Sequence, residues 1–383
     1  MFNSHYVPQS VLRKWADRIC VYNLESKTLT ENIKTEDVFA SKGFYSDEIE
    51  EKLHLQIESQ FGNLLSNIIL KSEESVRLYK EQLKIVKKFL LIEVLRSLGG
   101  EEFMQFEKSL SKRLELPFEE KDVEGETSFD YWMRTLRVVL ETDGTPEEIL
   151  KRDDKTYPAY RWAMVVYTAR LGFWDAPDKG DEFLITDAGM TSENELGWDG
   201  FSVQNYKKLY CVASWLMREI CGGIFKEDLI KLFQATVYFH ENFQMFPISP
   251  KRMIVLISPF YNMWSVLKKF GCMVPPLTEL TRLPNESLFV AMPRTQGEIS
   301  GDAYNNNEYI YPVQKLSRKE IRYCNCLFLD RIHADLGFSS LENAAGSIFT
   351  YCNAPHAPRV DYTELYNIIQ DRIPGKFEMI NRN

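Results

Sequence analysis

Apolar positions along the 383-residue chain follow two rhythms. Over 47–71 they recur at Ile49, Leu53, Ile57, Phe61, Leu64 and Ile68, the stripe of a helix with one buried face. Similar spacing, with Ser72 and Ser75 as candidate caps, predicts a second long helix over 73–96, stopped by Gly99-Gly100. Further helices are predicted at 101–114, 128–141, 145–152, 158–170, 204–221, 226–239, 317–335, 340–352 and 361–371. The second rhythm is short and β-like: 19–22, a turn at Leu24-Glu25-Ser26-Lys27, and an antiparallel return over 29–33. Phe173-Trp174 and 183–185 read as strands around a polar turn containing Pro177 and Gly180. The apolar run 253–258 has the character of a buried strand, and 288–292 and 309–311 add others. Pro8 keeps the first nine residues extended, and Ser10 is placed to cap a short helix over 11–18.

This pattern predicts an α+β fold, mostly helical, with a central, mainly antiparallel sheet of short strands. The charged stretch 117–127 is the one candidate boundary, and residues 1–383 read as a single compact domain with helical insertions. A formal net charge of −9 excludes nucleic-acid binding through bulk charge. It leaves a local basic face, Lys80, Lys84, Lys87 and Lys88, which is either a solvated row or the contact for RNA or DNA. A protein partner is the other association left open. Seven scattered cysteines argue against a disulfide framework. The first residues lack the basic and apolar segments of a signal peptide, and no run is long enough to span a membrane, so a cytoplasmic protein is expected. Phosphate-binding Gly-rich loops, His-Glu-x-x-His and Gly-x-Ser-x-Gly are all missing.

Several residues remain as candidates for chemistry. His5, in an extended segment fixed by Pro8, has the side chain for metal ligation or proton transfer near neutral pH, with Gln9 to orient it or bind substrate. The alternative is that both are hydrogen-bonding staples for the terminus. Asp187 ends a β-type run before Ala188 and Gly189. It is either a carboxylate presented to a cleft, for Mg2+ or Mn2+ or as a base, or an Asx-turn. Glu58 stands one turn after His54 on the first long helix. Arg96 is either a phosphate clamp or a helix C-terminal arginine facing the macrodipole. Asn325 either orients substrate or satisfies buried backbone. Glu58, Asp187 and His5 together would make a metal centre for phosphodiester hydrolysis; one polar cleft holding all three is the geometry that reading requires.

The segment His5-Tyr6-Val7-Pro8-Gln9, followed by Leu12, Trp15 and Ala16, resembles the opening of the domain-of-unknown-function 4238 family. Ordered islands follow it: Ile57-Glu58, Arg96-Ser97, Phe183-Leu184-Ile185-Thr186-Asp187, Phe246-Pro247-Ile248-Ser249-Pro250, Asn325, and Ala344-Ala345. The chain departs from that pattern where Ala188-Gly189 replaces Asn-Pro, where Arg96-Ser97-Leu98 replaces Arg-Thr-Pro, and where Glu93 stands for a frequent Gln. The resemblance implies a bacterial protein of a mobile or defence-type setting. The expected role is a toxin-like or metal-dependent nuclease or phosphodiesterase, or else a non-catalytic sensor or partner subunit of a defence system.

Overall fold

The computed structural model describes residues 3–42, 45–97, 99, 102–105, 108, 125–152, 157–178, 180–193, 243–257, 292–293, 308–354 and 360–375. Strand β1 (Asn3–His5) runs into a single helical turn, α1 (Gln9–Leu12). Helix starts immediately after Pro8, which keeps an extended ψ of 137°, so Ser10 lies inside the turn rather than capping it. The hairpin follows as the alternation predicts, β2 (Arg18–Asn23) antiparallel to β3 (Thr28–Lys34). Strand β4 (Ala40–Lys42) then returns to β1, pairing Ala40 with His5.

The next helical run is not uniform. It passes through α2 (Asp47–Lys52), a π-helical turn (Leu53–Glu58), α3 (Ser59–Leu64) and a second π turn (Leu65–Ile69). The reason lies in the sequence. Ile49, Leu53, Ile57, Phe61, Leu65 and Ile69 are spaced by four, and each is at most 4% exposed. In a regular α-helix of 3.6 residues per turn, a step of four drifts by about 40°, so five steps would carry the stripe roughly 200° around the axis. The wider i→i+5 turns unwind the helix and hold the stripe on one face. Leu64 is buried as expected, while the expected end of the stripe at Ile68 is corrected to Leu65 and Ile69; Ile68 is only partly buried.

Residues predicted as the start of the second long helix instead form β5 (Ser75–Tyr79), where Val76 and Leu78 are buried and their neighbours are not. That two-residue alternation satisfies a sheet edge better than a helix face. Helix α4 (Lys80–Ser97) follows, then α5 (Ser128–Leu140), α6 (Pro146–Leu150) and α7 (Tyr157–Thr168). Beyond them lie β6 (Arg170–Asp175), β7 (Ile185–Thr186), β8 (Thr191–Glu193), β9 (Phe243–Pro247), β10 (Arg252–Ile257), β11 (Met292–Pro293) and β12 (Glu308–Lys315). The chain closes with α8 (Arg318–Asp330), β13 (Asp335–Phe338), α9 (Leu341–Cys352) and α10 (Thr363–Arg372). The helices expected at 204–221 and 226–239, most of 101–114, and most of the boundary stretch 117–127 lie outside the described residues.

The fold is α+β; besides the β1–β4 pair, the described strands form two larger, mostly antiparallel sheets rather than one. A seven-stranded sheet runs β11-β12-β6-β10-β9-β8, with β5 also on β12; its β12–β6 pair is parallel. A four-stranded sheet runs β3-β2-β13-β7. Residues 173–174 and Ile185, expected within a local pair, therefore belong to different sheets, Phe183 and Leu184 lie outside the strands, and β13 overlaps the helix expected over 317–335 only at Asp335. Helix α4 is buried along most of its length from Val86 on, as befits a helix with neighbours on several sides. Phe89 of α4 stacks on Phe61 of α3 at 3.6 Å between ring centroids.

The four-residue register has a direct check. Ile69→Ala is expected to lower the unfolding free energy by about 2–5 kcal/mol, the usual cost of emptying a packed site, and Ile68→Ala by clearly less. Urea titration of both variants measures the difference; equal losses would refute the register.

Candidate functional site

Arg96, in the last turn of α4, has a side chain only 2% exposed. A buried guanidinium must find acceptors, and four converge on it. Its Nη2 donates to the His5 carbonyl at 2.7 Å, its Nε to the Tyr45 hydroxyl at 3.0 Å, and its Nη1 to Glu58 at 3.0 Å and Glu93 at 3.1 Å. The arginine is thus neither a helix-end decoration nor an exposed phosphate clamp. It ties the first strand, the π turn and α4 together.

Above this tie lies a cleft of about 750 Å³, lined on one wall by His5, Gln9, Ser10, Arg13 and Lys14 and on the other by Glu50, Glu51, His54, Leu55, Glu58, Ser59, Gly62 and Ser66. The unwound helix matters here as well. Glu50, His54, Glu58, Gly62 and Ser66 repeat the spacing of four beside the buried stripe, so they form a straight wall. Gly62 lets α1 approach: a Cβ there would stand 3.0 Å from that of Ser10. Lys14 bridges the walls through Ser66 at 2.8 Å.

Within the cleft, Gln9 Nε2 donates to the Thr35 carbonyl at 2.7 Å and lies 3.1 Å from His5 Nδ1, with the Val38 carbonyl 3.3 Å from the same nitrogen. His5 Nε2 has no hydrogen bond to the protein among the described residues, and neither does Glu58 Oε2. Burial pulls the His5 pKa below its ordinary 6.5, partly offset by the Val38 contact and the Glu58 charge, so the imidazole rests neutral at physiological pH. Glu93 is pushed the other way by burial, up to about 7 despite Arg96.

Two expected site residues lie elsewhere. Asp187 does not line the cleft: Oδ1 accepts from the amide of His333 at 3.0 Å, and Oδ2 from those of Ala334 and Asp335 at 2.7 and 3.0 Å. It clamps the turn from α8 into β13. Asn325 is fully buried, accepting from Leu184 N and donating to the Glu182 carbonyl and Ser347 Oγ. Of the three residues expected in one cleft, His5 and Glu58 meet and Asp187 does not join them. Among the described residues, no group of three His, Cys, Asp or Glu side chains could hold a metal ion, so the donor set expected for Mg2+ or Mn2+ does not fit.

The basic face is also dismantled. Lys87 is buried and donates to the Val166 and Ala169 carbonyls at 2.7 and 2.6 Å, with its pKa lowered by burial to about 7. Lys88 donates to the Leu140 and Thr142 carbonyls, and burial lowers it to about 8. Each closes the carbonyl end of a helix, α7 and α5 respectively. Lys84 pairs with Glu81 at 3.5 Å, and Lys80 is half-buried. The expected RNA or DNA contact through these four is corrected: helix packing takes up two of them.

Sequence reasoning missed Tyr45, Glu93, Ser10 and Arg13. Glu93 carried a readable signal, since it interrupts the apolar run 89–95 and stands three residues before Arg96, the spacing of a same-face pair. Tyr45 carried none; only the folded chain brings it to Arg96.

A mixed α+β domain with a polar cleft built around its own first strand is the class defined by this geometry. The chain belongs to the family of proteins of unknown function DUF4238, whose family model matches residues 3–330. No curated protein sequence and no solved structure matches it. Among the described residues, no helix is long and apolar enough to cross a membrane.

Two outcomes test these roles. Asp187→Ala strands three backbone donors and is expected to cost about 3 kcal/mol or more in urea unfolding, without altering the His5 cleft. For Glu93, a folded pKa near 7 against an ordinary 4.5 means that only the protonated form is favoured by folding. Its contribution is complete below 4.5 and is lost as pH rises towards 7. Glu93→Gln should remove this fall, seen as a flatter stability profile across that window; a profile parallel to wild type would refute it.

Proposed function

We propose that the chain is a hydrolase of phosphodiester bonds, with the His5–Glu58 cleft as its acid–base centre, and that it acts as a bacterial effector of defence or toxin type. The observation that carries the chemistry is the pairing of two proton-transfer groups across one cleft, each anchored by one atom and open at the other. Glu58 is held to Arg96 through Oε1, and His5 is held through Nδ1. In hydrolysis, a water oxygen would attack phosphorus while its proton passes to the Glu58 carboxylate. The breaking P–O bond would release an oxygen that accepts a hydrogen bond from His5 and takes its proton from solvent, to which Glu58 returns the one it gained. Arg13 and Lys14 supply positive charge at the same wall. His5, Glu58 and Asp187 do not meet as one donor set, and the proposal is carried by His5 and Glu58 alone.

A second reading is a non-catalytic sensor or partner-binding subunit. It is favoured by the fact that the His5 and Gln9 hydrogen bonds run only to each other and to backbone carbonyls, as structural staples would. One comparison separates the two: the purified chain and its His5→Gln variant incubated with RNA and single-stranded DNA, with thermal unfolding as the control. The hydrolase reading expects the variant to be slower by roughly 10²- to 10⁴-fold at an unchanged fold. No cleavage by the wild type, or equal cleavage by both, favours the binding subunit.

A further inference from the structure

The Thr35 carbonyl can only accept, so its 2.7 Å contact fixes which end of the Gln9 amide is the NH2. The second N–H of that group is then the one that meets His5 Nδ1 at 3.1 Å. If Nδ1 carried the ring proton, two donors would face each other at 3.1 Å, and a half-buried amide N–H would lose its partner. If Nδ1 is bare, the only loss is the longer 3.3 Å contact with the Val38 carbonyl. Two N–H groups facing each other at 3.1 Å cost more than a lost 3.3 Å carbonyl contact, so the first arrangement loses. The neutral ring must then hold its proton on Nε2, the nitrogen with no hydrogen bond to the protein among the described residues.

That changes what the cleft offers. Its α1 wall presents an N–H donor from His5, with Arg13 at the end of the same helical turn. Arg13 is exposed, has no ion pair among the described residues, and is close enough for its charge to act on His5. The carboxylates Glu50, Glu51 and Glu58 all stand on the opposite wall, with Glu58 matched by Arg96. The cations Arg13 and Lys14 and these carboxylates are therefore segregated across the cleft.

We propose that Gln9 is a positioning residue that holds His5 in the Nε2–H tautomer, and that His5 Nε2–H and the Arg13 guanidinium together form a site for an oxyanion, the phosphate group of a ligand. The tautomer stands on its own; the choice of phosphate rests on the hydrolase reading. In that reaction His5 Nε2–H donates a hydrogen bond, and the oxyanion it receives is the leaving side of the phosphodiester.

The test is nitrogen-15 NMR of the full chain labelled at histidine, with His5 assigned by His5→Gln. In wild type, above the His5 pKa, the proton is expected on Nε2. Gln9→Glu, whose carboxylate accepts from Nδ1–H, should move it to Nδ1. Gln9→Met, which removes the donor and leaves Nδ1 to the Val38 carbonyl, should do the same if the first variant fails to fold. Inorganic phosphate should shift the Nε2 resonance saturably, and Arg13→Gln should weaken that binding by about tenfold. A wild-type proton on Nδ1, or a tautomer indifferent to a folded Gln9 variant, overturns the positioning role. An Nε2 signal unmoved by phosphate overturns the anion site. None of these readouts depends on turnover, so a failure of the hydrolase reading in the cleavage assay is distinguishable from a failure here.

Discussion

The burial of one guanidinium organises this protein. Arg96 sits where water cannot solvate it, and a charge in that position is tolerated only when hydrogen bonds replace its hydration. The acceptors come from parts of the chain far apart in sequence: the His5 carbonyl, the Tyr45 hydroxyl, and the Glu58 and Glu93 carboxylates. Strand β1 is pinned at its end by a charged donor, and so His5 becomes part of a wall.

The second constraint is mechanical. A helix that buries a residue at every fourth position cannot keep an α twist, and the run 47–69 yields by opening into two π turns. The neighbouring row of residues must follow. The same unwinding that lines up Ile49 through Ile69 in the core also lines up Glu50, His54, Glu58, Gly62 and Ser66 along the cleft. Core packing and cleft shape are two faces of one helical pitch, which is why π turns so often accompany sites.

Residues that read alike in sequence took different roles because their burial differs. Asp187 and Glu58 both looked like carboxylates for a metal. One spends both oxygens on backbone amides at a turn; the other spends one on Arg96 and keeps one facing the cleft. Lys87 and Lys88 looked like surface charge, yet they donate to the carbonyl ends of α7 and α5. Asn325 looked like a substrate amide and instead satisfies the 182–184 backbone. In each case a buried polar group elsewhere demanded a partner, and no local pattern records that demand.

What the sequence determined by itself is whatever short-range periodicity encodes: the amphipathic helices, the 18–34 hairpin, the buried strand at 252–257, and the α+β class. It also marked His5, Gln9, Glu58 and Arg96, all of which meet in or beneath the cleft. Tertiary structure alone decided that 75–79 is a strand, that 335–338 completes a second sheet, and that Asp187 stays out of the site. These outcomes depend on partners hundreds of residues away, such as β12 for β5 and β2 for β13, and on the requirement that every buried donor and acceptor be matched. The opening segment was legible as a motif. Its function as a cleft wall was not, because the arginine that holds it there lies 91 residues further along the chain.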